Sequence, residues 1–356
     1  KVDTLVVTLN CRFSYVRRFF YLQISKSPNQ QILKSISVSS KFNYSHMKKI
    51  IYLLFISFIL TSCNQDKPLY SYVNPFVGTG GHGHTFPGAT MPFGMVQLSP
   101  DSRLEGWDGC GGYHYSDSVI YGFSHTHLSG TGVSDYGDIL FAPTVGEIHY
   151  NNGVDGESGY SSKFSHENES AHAGYYQVLL KDFNIDVALT ASKRAGFHKY
   201  TFPKTEQANI ILDLEHRDEV LESEIQILGS NEVVGFRRSK AWATDQYVYF
   251  VAQFSKDFKK STIAQNDIPT DLLQLNDKEL KASFEFETED GEQILVKVAI
   301  SAVSVASARK NLEAEIPHWN FNKTLNEAKQ AWNKELSKIE VDSDAETKHI
   351  FYTALY

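Results

Sequence analysis

The sequence predicts a mainly β protein, a large antiparallel β-sandwich followed by linker helices. Short runs in which apolar and polar residues alternate recur between residues 175 and 300, with turn residues between them, which is typical of a sandwich. Apolar residues at helical spacing appear only after Val305. Ahead of the regular strands, residues 72–138 hold 14 of the 23 glycines and 5 of the 13 histidines, which indicates a surface built from loops.

Residues 47–62 have the features of a lipoprotein signal peptide. Met47 is followed by two lysines and by an apolar run of about a dozen residues, which is shorter than a membrane span. The run ends in Leu60-Thr61-Ser62-Cys63, which resembles a bacterial lipobox. We therefore predict an exported protein, attached to the cell envelope by a lipid on Cys63 and facing either the periplasm or the cell surface. The alternative interpretation of the run is a buried hydrophobic strand or helix.

Residues 1–46 precede the first methionine and show no clear amphipathic period. We expect them to be translated upstream sequence from a misplaced start, without a structural role. Residues 63–71 then form a polar tether between the lipidated cysteine and the first domain. Mass measurement of the natural product tests this expectation, because peptides from residues 1–46 would contradict it.

The charge of the chain argues against a nucleic-acid partner. The whole chain has a net charge of −8, but its first 62 residues carry nine Lys or Arg and one Asp, so the remainder stands at −16. Binding to phosphate backbones requires basic patches, which so acidic a domain does not favour. Beyond Cys11 and Cys63, only Cys110 remains, so we expect no internal disulfide.

The predicted sandwich domain covers residues 72–303. Its hairpin signal is Asp290-Gly291, a dipeptide that suits a tight turn between antiparallel strands. The runs predicted as strands are Met95–Leu98, Ile139–Ala142, Tyr175–Leu180, Ile185–Thr190, Gly196–Phe202, Asn209–Leu214, Val233–Arg237, Tyr247–Phe254, Ser283–Thr288 and Gln293–Ile300.

The region 304–341 is predicted as a helical linker, and 342–356 as the beginning of a further domain. Apolar residues from Leu325 to Ile339 recur at steps of three and four, with Lys and Glu between them. Ser343 to Glu346 reads as a capping box that begins another helix. No Gly or Pro ends that helix before Tyr356. The alternative is a helix that frays at a natural C-terminus.

Two histidine pairs suggest metal ligands. In His82-Gly83-His84 and His125-Thr126-His127 the two imidazoles are two residues apart, so on a strand they would share one face. No Cys, Asp or Glu at a familiar zinc spacing completes either pair. The favoured interpretation is therefore that these histidines hydrogen-bond neighbouring loops or a sugar, and we assign no metal ligand.

Trp107 and Asp108 are candidates for a sugar subsite. They lie in Gly106-Trp107-Asp108-Gly109, where two glycines favour a tight turn. An indole presents a flat apolar face on which the C–H groups of a sugar ring can stack, and a neighbouring carboxylate can accept bonds from two hydroxyls. The alternative, a core Trp beside a turn-forming Asp, remains equally open at this stage.

Several longer motifs resemble one family closely. They are Tyr72–Gly80, His84–Ala89, Pro92–Met95, Gly106-Trp107 and Phe123–Gly130. Together they are similar to the N-terminal domain of the exo-α-mannosidases of glycoside hydrolase family 92. The resemblance is dense from Tyr72 to about Gly146 and continues more weakly to Tyr356.

The resemblance implies a two-domain enzyme, in which a β-sandwich and a helical linker precede an (α/α)6 barrel. Residues 342–356 would begin that barrel. Such enzymes are calcium-dependent and inverting, remove mannose from N-glycans or mannans, and are often exported lipoproteins. The resemblance implies that the calcium ligands and the catalytic acid and base lie in the barrel, beyond Tyr356, so we assign no catalytic residue here.

For this domain, the resemblance implies a contact between Trp107 and a mannose-containing glycan. Asp108 is the second candidate for substrate binding, and His84, His125 and His127 are weaker candidates that either line the cleft or brace its loops. The alternative functions are a stand-alone carbohydrate-binding lipoprotein and a deglycosylating enzyme similar to peptide-N-glycanases.

Overall fold

The computed structural model of the protein describes residues 67–356. The predicted upstream segment 1–46, the signal peptide 47–62 and Cys63 lie outside the described residues. Within the described part of the chain, no helix is both long enough and apolar enough to cross a membrane.

Residues 89–301 fold into two large antiparallel sheets and a short two-stranded ribbon. In chain order the strands are β1 (Ala89–Thr90), β2 (Gln97–Asp101), β3 (Val119–Ile120), β4 (Gly122–Ser124), β5 (Leu140–Val145), β6 (Ser162–Lys163), β7 (Glu169–His172), β8 (Tyr175–Leu180), β9 (Ile185–Ala191), β10 (Ala195–Phe202), β11 (Thr205–Asp213), β12 (Glu219–Leu228), β13 (Glu232–Lys240), β14 (Gln246–Phe254), β15 (Lys260–Gln265), β16 (Ile268–Thr270), β17 (Gln274–Asp277), β18 (Leu280–Thr288) and β19 (Glu292–Ser301).

The two sheets pack face to face. One has the order β1-β2-β4-β5-β11-β18-β15-β16, the other β17-β12-β13-β14-β19-β10-β9-β8-β7, and β3 pairs with β6. Their inner faces share one hydrophobic core, in which Phe254 of β14 lies 4.7 Å from Phe284 of β18, ring centroid to ring centroid. Aromatic residues supply much of this core, and their large buried area stabilises the contact between the sheets.

Helices cover the outer face of the nine-stranded sheet. Helix α1 (Val305–Glu315) and helix α2 (Phe321–Leu336) follow the last strand, and Leu312 and Phe321 pack against Phe197 and Val251 of that sheet. The central strands of this sheet are therefore buried on both faces, so β10 and β19 lack a strict alternation of buried and exposed residues.

Helix α3 (Ala345–Leu355) packs against the beginning of the domain. The ring of Tyr352 is 6.0 Å from that of Tyr72, and His349 bonds to the Tyr72 carbonyl over 2.8 Å. The helix begins one residue later than the predicted capping box, because the carboxylate of Asp344 accepts the Thr347 N–H at 2.8 Å. Asp344 is thus the N-cap, in place of Ser343.

The predicted fold class is confirmed. Each of the ten predicted strands overlaps an observed one, and Asp290-Gly291 connects β18 to β19 with Gly291 at a φ of 75°. The sequence interpretation missed several strands that carry charges or are very short, chiefly β12, β15, β16 and β17. No strand was predicted within 155–171, where β6 and part of β7 lie.

Candidate functional site

Trp107 presents an open aromatic face on a tight turn. It begins a 3-10 turn after Gly106, whose φ of 84° is in the left-handed region, and 61% of the Trp107 surface is exposed. The rear of the ring lies on Gly132, where a Cβ atom would come within 2.0 Å of the indole. The ring of His84 meets the indole edge-on, with centroids 5.0 Å apart. One face of the indole therefore packs against the protein, and the other face is open to solvent.

Asp108 lies close to two histidines beside the exposed face of Trp107, which we call the platform. Its Oδ1 is 2.6 Å from Nδ1 of His82 and 3.6 Å from Nε2 of His84. The hydrogen bond from His82 lowers the pKa of Asp108, so the carboxylate is ionised at neutral pH. The side chain of His82 is 78% exposed and that of His84 only 6%. A polar ligand on the Trp107 face can thus reach Asp108.

The backbone between the two histidines explains why they meet Asp108. A Cβ at Gly83 would lie 2.0 Å from the carbonyl oxygen of Gly78, so only glycine fits there. His84 has a φ of 54°, and its carbonyl accepts the Gly130 N–H at 2.8 Å. This left-handed geometry aims the buried Nε2 of His84 at Asp108, where it has no hydrogen-bond partner.

His125 lies in the core, in a chain of neutral hydrogen bonds. Its Nδ1–H donates to the carbonyl of Ile139 at 2.6 Å, and its Nε2 accepts from Nε2–H of His198 at 3.0 Å. Nδ1 of His198 in turn accepts the hydroxyl of Tyr200 at 2.8 Å. Burial lowers the pKa of His125 to about 4 and holds the pKa of His198 well below its usual range. Both rings are therefore neutral at pH 7.

His127 lies in a second buried cluster, around Asp101. Its Nδ1 donates to the Gln97 carbonyl at 2.8 Å, and its Nε2 lies 3.2 Å from Oδ1 of Asp101. The hydroxyl of Ser124 donates to the other oxygen of Asp101 at 2.6 Å. The imidazoles of His127 and His216 hold the pKa of Asp101 well below its usual range despite complete burial.

A buried arginine connects the Asp101 cluster to the Trp107 turn. Arg217 lies 3.8 Å from Asp101 and donates to the carbonyl of Gly109 at 2.7 Å and to the hydroxyl of Ser134 at 3.1 Å. Its side chain is 1% exposed. The turn that carries Trp107 is thus braced from the interior.

The structure divides the residues singled out from the sequence into two groups. Trp107 and Asp108 lie together at the surface, with the buried ring of His84 against both of them. His82 joins this group, although it was not among the predicted substrate contacts. His125 and His127 are 0% and 3% exposed, with their ring nitrogens directed at protein partners. In this arrangement they offer no exposed nitrogen to a ligand from solvent, which favours the bracing role over the cleft-lining one.

The convergent group of potential metal ligands in the described residues does not suit calcium. Within 67–356, the group of His, Cys, Asp and Glu side chains whose donor atoms converge is His82, His84 and Asp108, with all three atoms within 4.8 Å of one another. Two of these three donors are imidazole nitrogens, whereas Ca²⁺ takes six to eight oxygen ligands. The cluster therefore does not fit the calcium ion that the family resemblance implies.

An antiparallel sandwich that presents an exposed aromatic face beside an ionised carboxylate is the arrangement of a ligand-binding protein, and comparison with known families identifies the chain further. Residues 72–301 match the glycosyl hydrolase family 92 N-terminal domain, and residues 307–356 match the glycosyl hydrolase family 92 catalytic domain. The chain therefore belongs to glycoside hydrolase family 92. Residues 304–341, predicted as a linker, thus fall largely within the match to the catalytic domain.

Relatives support the same assignment. A family GH92 α-mannosidase of Bacteroides thetaiotaomicron, solved with mannoimidazole, is 36% identical, with a TM-score of 0.78 over 82% of this chain and 40% of that one. Another GH92 hydrolase, ccman5, is 27% identical, with a TM-score of 0.73 over 81% of this chain and 40% of the other. An uncharacterized secreted glycosidase of Arthroderma benhamiae is 27% identical over 80% of this chain and 40% of its own. The chain thus spans 40% of the length of these relatives.

Proposed function

We propose that this chain forms the N-terminal, substrate-side part of an exported, calcium-dependent, inverting exo-α-mannosidase that trims mannose from N-glycans or mannans. Family membership supports glycoside hydrolysis, and the α-mannosidase relative with bound mannoimidazole supports mannose as the sugar. The observation that carries the proposal is the exposed face of Trp107 beside the ionised Asp108.

The platform has the two elements that recognition of a sugar needs. The open face of Trp107 can cover the C–H surface of a pyranose ring, and burial of that apolar area is favourable. Asp108 Oδ2 has no protein partner within the described chain, so it can accept a sugar hydroxyl in a charge-assisted hydrogen bond. His82 can offer a further polar contact at the exposed edge of the same surface.

Hydrolysis itself requires groups that we do not assign in this chain. An inverting glycosidase uses two carboxyl groups about 6.5–9.5 Å apart, one to protonate the leaving oxygen and one to activate water. Bound calcium would supply a fixed positive charge that binds sugar hydroxyls. We expect this chain to bind, orient and shield the sugar next to the leaving group, whereas the acid, the base and the calcium ligands come from the rest of the protein.

The binding part of the proposal is tested by replacing the platform. We expect the chain to give saturation-transfer signals in ligand-observed NMR with α-mannobiose, and Trp107→Ala to weaken this binding by more than about tenfold, since a central aromatic contact carries much of the energy of an interface. Trp319→Ala is the matched control, because Trp319 is 39% exposed and packs against Phe197 and Lys297 on the outer face of the nine-stranded sheet. Equal binding by both variants would reject the assignment of Trp107.

The lipid anchor is a separate part of the proposal. We expect Cys63 to be diacylated after removal of residues 47–62, and Cys63→Ala to prevent incorporation of labelled palmitate in a bacterial host. Palmitate labelling that persists in Cys63→Ala would contradict the anchor. A stand-alone carbohydrate-binding lipoprotein would share this anchor and the Trp107 platform, and it is distinguished by the absence of mannose release from the complete gene product.

A further inference from the structure

We propose that His82, His84 and Asp108 form a binding site for one divalent transition-metal ion of the Zn²⁺ type. The side chains belong to two loops, and their donor atoms Nδ1, Nε2 and Oδ1 lie within 4.8 Å of one another. Two imidazoles and one carboxylate are a ligand set that Zn²⁺ uses with water in the remaining position. This site is distinct from the calcium requirement of the proposed function, because its donors are mostly nitrogen.

The buried histidine is the observation that points to a ligand. The side chain of His84 is 6% exposed, and its Nε2 is buried without a hydrogen-bond partner although it faces the carboxylate of Asp108 at 3.6 Å. A buried polar atom without a partner is destabilising, so native structures rarely leave one unused. A cation between Nε2 of His84 and Oδ1 of Asp108 would satisfy both atoms.

The distances suit metal ligation after a small movement of one side chain. At metal–ligand distances of about 2.0–2.2 Å, two tetrahedral ligand atoms lie roughly 3.3–3.6 Å apart. The His84–Asp108 separation of 3.6 Å already fits this range, whereas His82 Nδ1 is at hydrogen-bonding distance, 2.6 Å from Oδ1. His82 is 78% exposed and can swing outward to admit the ion, replacing one hydrogen bond by two metal bonds.

The glycine between the histidines keeps the site formed in the absence of metal. Gly83 packs against the carbonyl of Gly78 so closely that no side chain fits, and the His84 carbonyl is fixed by the Gly130 N–H. Little conformational freedom is therefore lost when the metal binds, at least for His84 and Asp108. Because Asp108 follows Trp107 and His84 contacts the indole, a bound ion would also stiffen the platform.

Isothermal titration of the metal-stripped chain with ZnCl₂ tests the site. We expect one high-affinity equivalent, and Asp108→Asn and His82→Gln each to weaken it by more than the roughly 10–100-fold that loss of an outer-shell partner costs. Both replaced side chains are partly or largely exposed, so these variants should fold even if His84→Gln does not. Co²⁺ in place of Zn²⁺ should give the visible absorption of a low-symmetry, four- or five-coordinate site. His149→Gln is the control, since His149 lies outside the cluster.

Three outcomes would overturn the proposal. The first is no heat of Zn²⁺ binding, which would leave water as the partner of His84. The second is binding that Asp108→Asn and His82→Gln leave unchanged, and the third is binding that His149→Gln removes. Because the readout is metal binding alone, it is independent of whether the chain binds mannose.

Discussion

Gly132 sets the position of the Trp107 ring. The indole lies directly on its Cα, and a methyl group there would come within 2.0 Å of the ring. The backbone of Gly132 does not have the left-handed φ of Gly130, so an alanine imposes no backbone strain of its own. The conflict falls on the far end of a mostly exposed side chain, which can move.

We therefore expect Gly132→Ala to displace Trp107 without unfolding the domain. The melting temperature should change by only a few degrees, whereas the affinity for α-mannobiose should fall severalfold. Gly80→Ala is the control, because its nearest neighbour, Cβ of Tyr115, would be 3.7 Å from the new methyl group. Unchanged sugar binding in Gly132→Ala would show that the observed pose of Trp107 is not the one that binds.

The chain of bonds through His198 and His125 predicts a defined pH response. Burial lowers the pKa of His125 from 6.5 to about 4, so its contribution to stability is complete above pH 6.5 and is lost as the pH falls toward 4. Over that pH window, His125 alone changes the free energy of unfolding by about 3 kcal/mol.

Two acidic side chains contribute with the opposite sign. Burial raises the pKa of Glu215 to about 7 and of Asp218 to about 6, so the stability that each contributes is lost as the pH rises through those values.

Because these effects oppose each other between pH 4 and 7, the pH dependence of the overall stability does not isolate His125. The protonation state of each histidine ring is therefore the better quantity to measure. Long-range ¹H–¹⁵N NMR spectra should show His125 and His198 still neutral at pH 5, each with one protonated nitrogen. The exposed His82 ring provides an internal comparison for an accessible histidine. Protonation of His198 above pH 6 would contradict the assigned chain of hydrogen bonds.

At the scale of elements, Arg237 of β13 ties the second sheet to the loops that support the site. It is fully buried, and its Nη1 bonds to Asp138 at 2.6 Å, just before β5 begins. Its other nitrogens donate to the carbonyls of Leu214, His216 and Asp218, which follow β11. One side chain thus satisfies the backbone of a segment that leaves the first sheet and carries Arg217 toward the Trp107 turn.

Removal of this side chain should be costly. We expect Arg237→Ala to lower the free energy of unfolding by about 3–5 kcal/mol, because it leaves Asp138 buried without its counter-charge. The neighbouring Arg238→Ala should have a far smaller effect, since Arg238 pairs with Asp245 at the surface. Urea denaturation of the two variants measures the difference, and equal losses would show that the buried pair does not support the fold.

Elements with a strong local signal could be predicted from the sequence. β8 was predicted from its apolar and aromatic run, and its bounds were predicted to the residue; in the structure its burial alternates, with Tyr176, Val178 and Leu180 buried. β12 was missed because charged residues occupy its outward positions and weaken the apolar pattern, although Ile225 and Ile227 do point inward. Such a strand is recognised only through its pairing with β13 and β17.

The site could be predicted only in part, because long-range contacts decide it. The Gly-Trp-Asp-Gly turn indicated Trp107 and Asp108 directly. The hydrogen bond between His82 and Asp108 joins residues 26 positions apart, and no rule of sequence spacing predicts it. For His125 and His127 the sequence left two roles open, lining the cleft or bracing its loops, because the pattern of residues cannot tell a polar loop from a buried network with every nitrogen bonded.

At the scale of the whole molecule, we propose that the Trp107 surface forms part of the sugar-binding cleft of a family 92 mannosidase. The chain supplies a rigid sandwich that carries the platform on braced loops and three helices that continue into the region matching the catalytic domain. We therefore expect loss of the indole to impair catalysis by the complete protein without affecting its folding.

The most direct measurement is the rate of mannose release from α-mannobiose by the complete gene product, followed by ¹H NMR. We predict release that EDTA suppresses, β-mannose as the first anomer, and a kcat/KM that falls more than about tenfold in Trp107→Ala but not in Trp319→Ala. Residues 1–356 alone should release none. Equal kcat/KM values in the two tryptophan variants, or mannose release by residues 1–356 alone, would contradict the account.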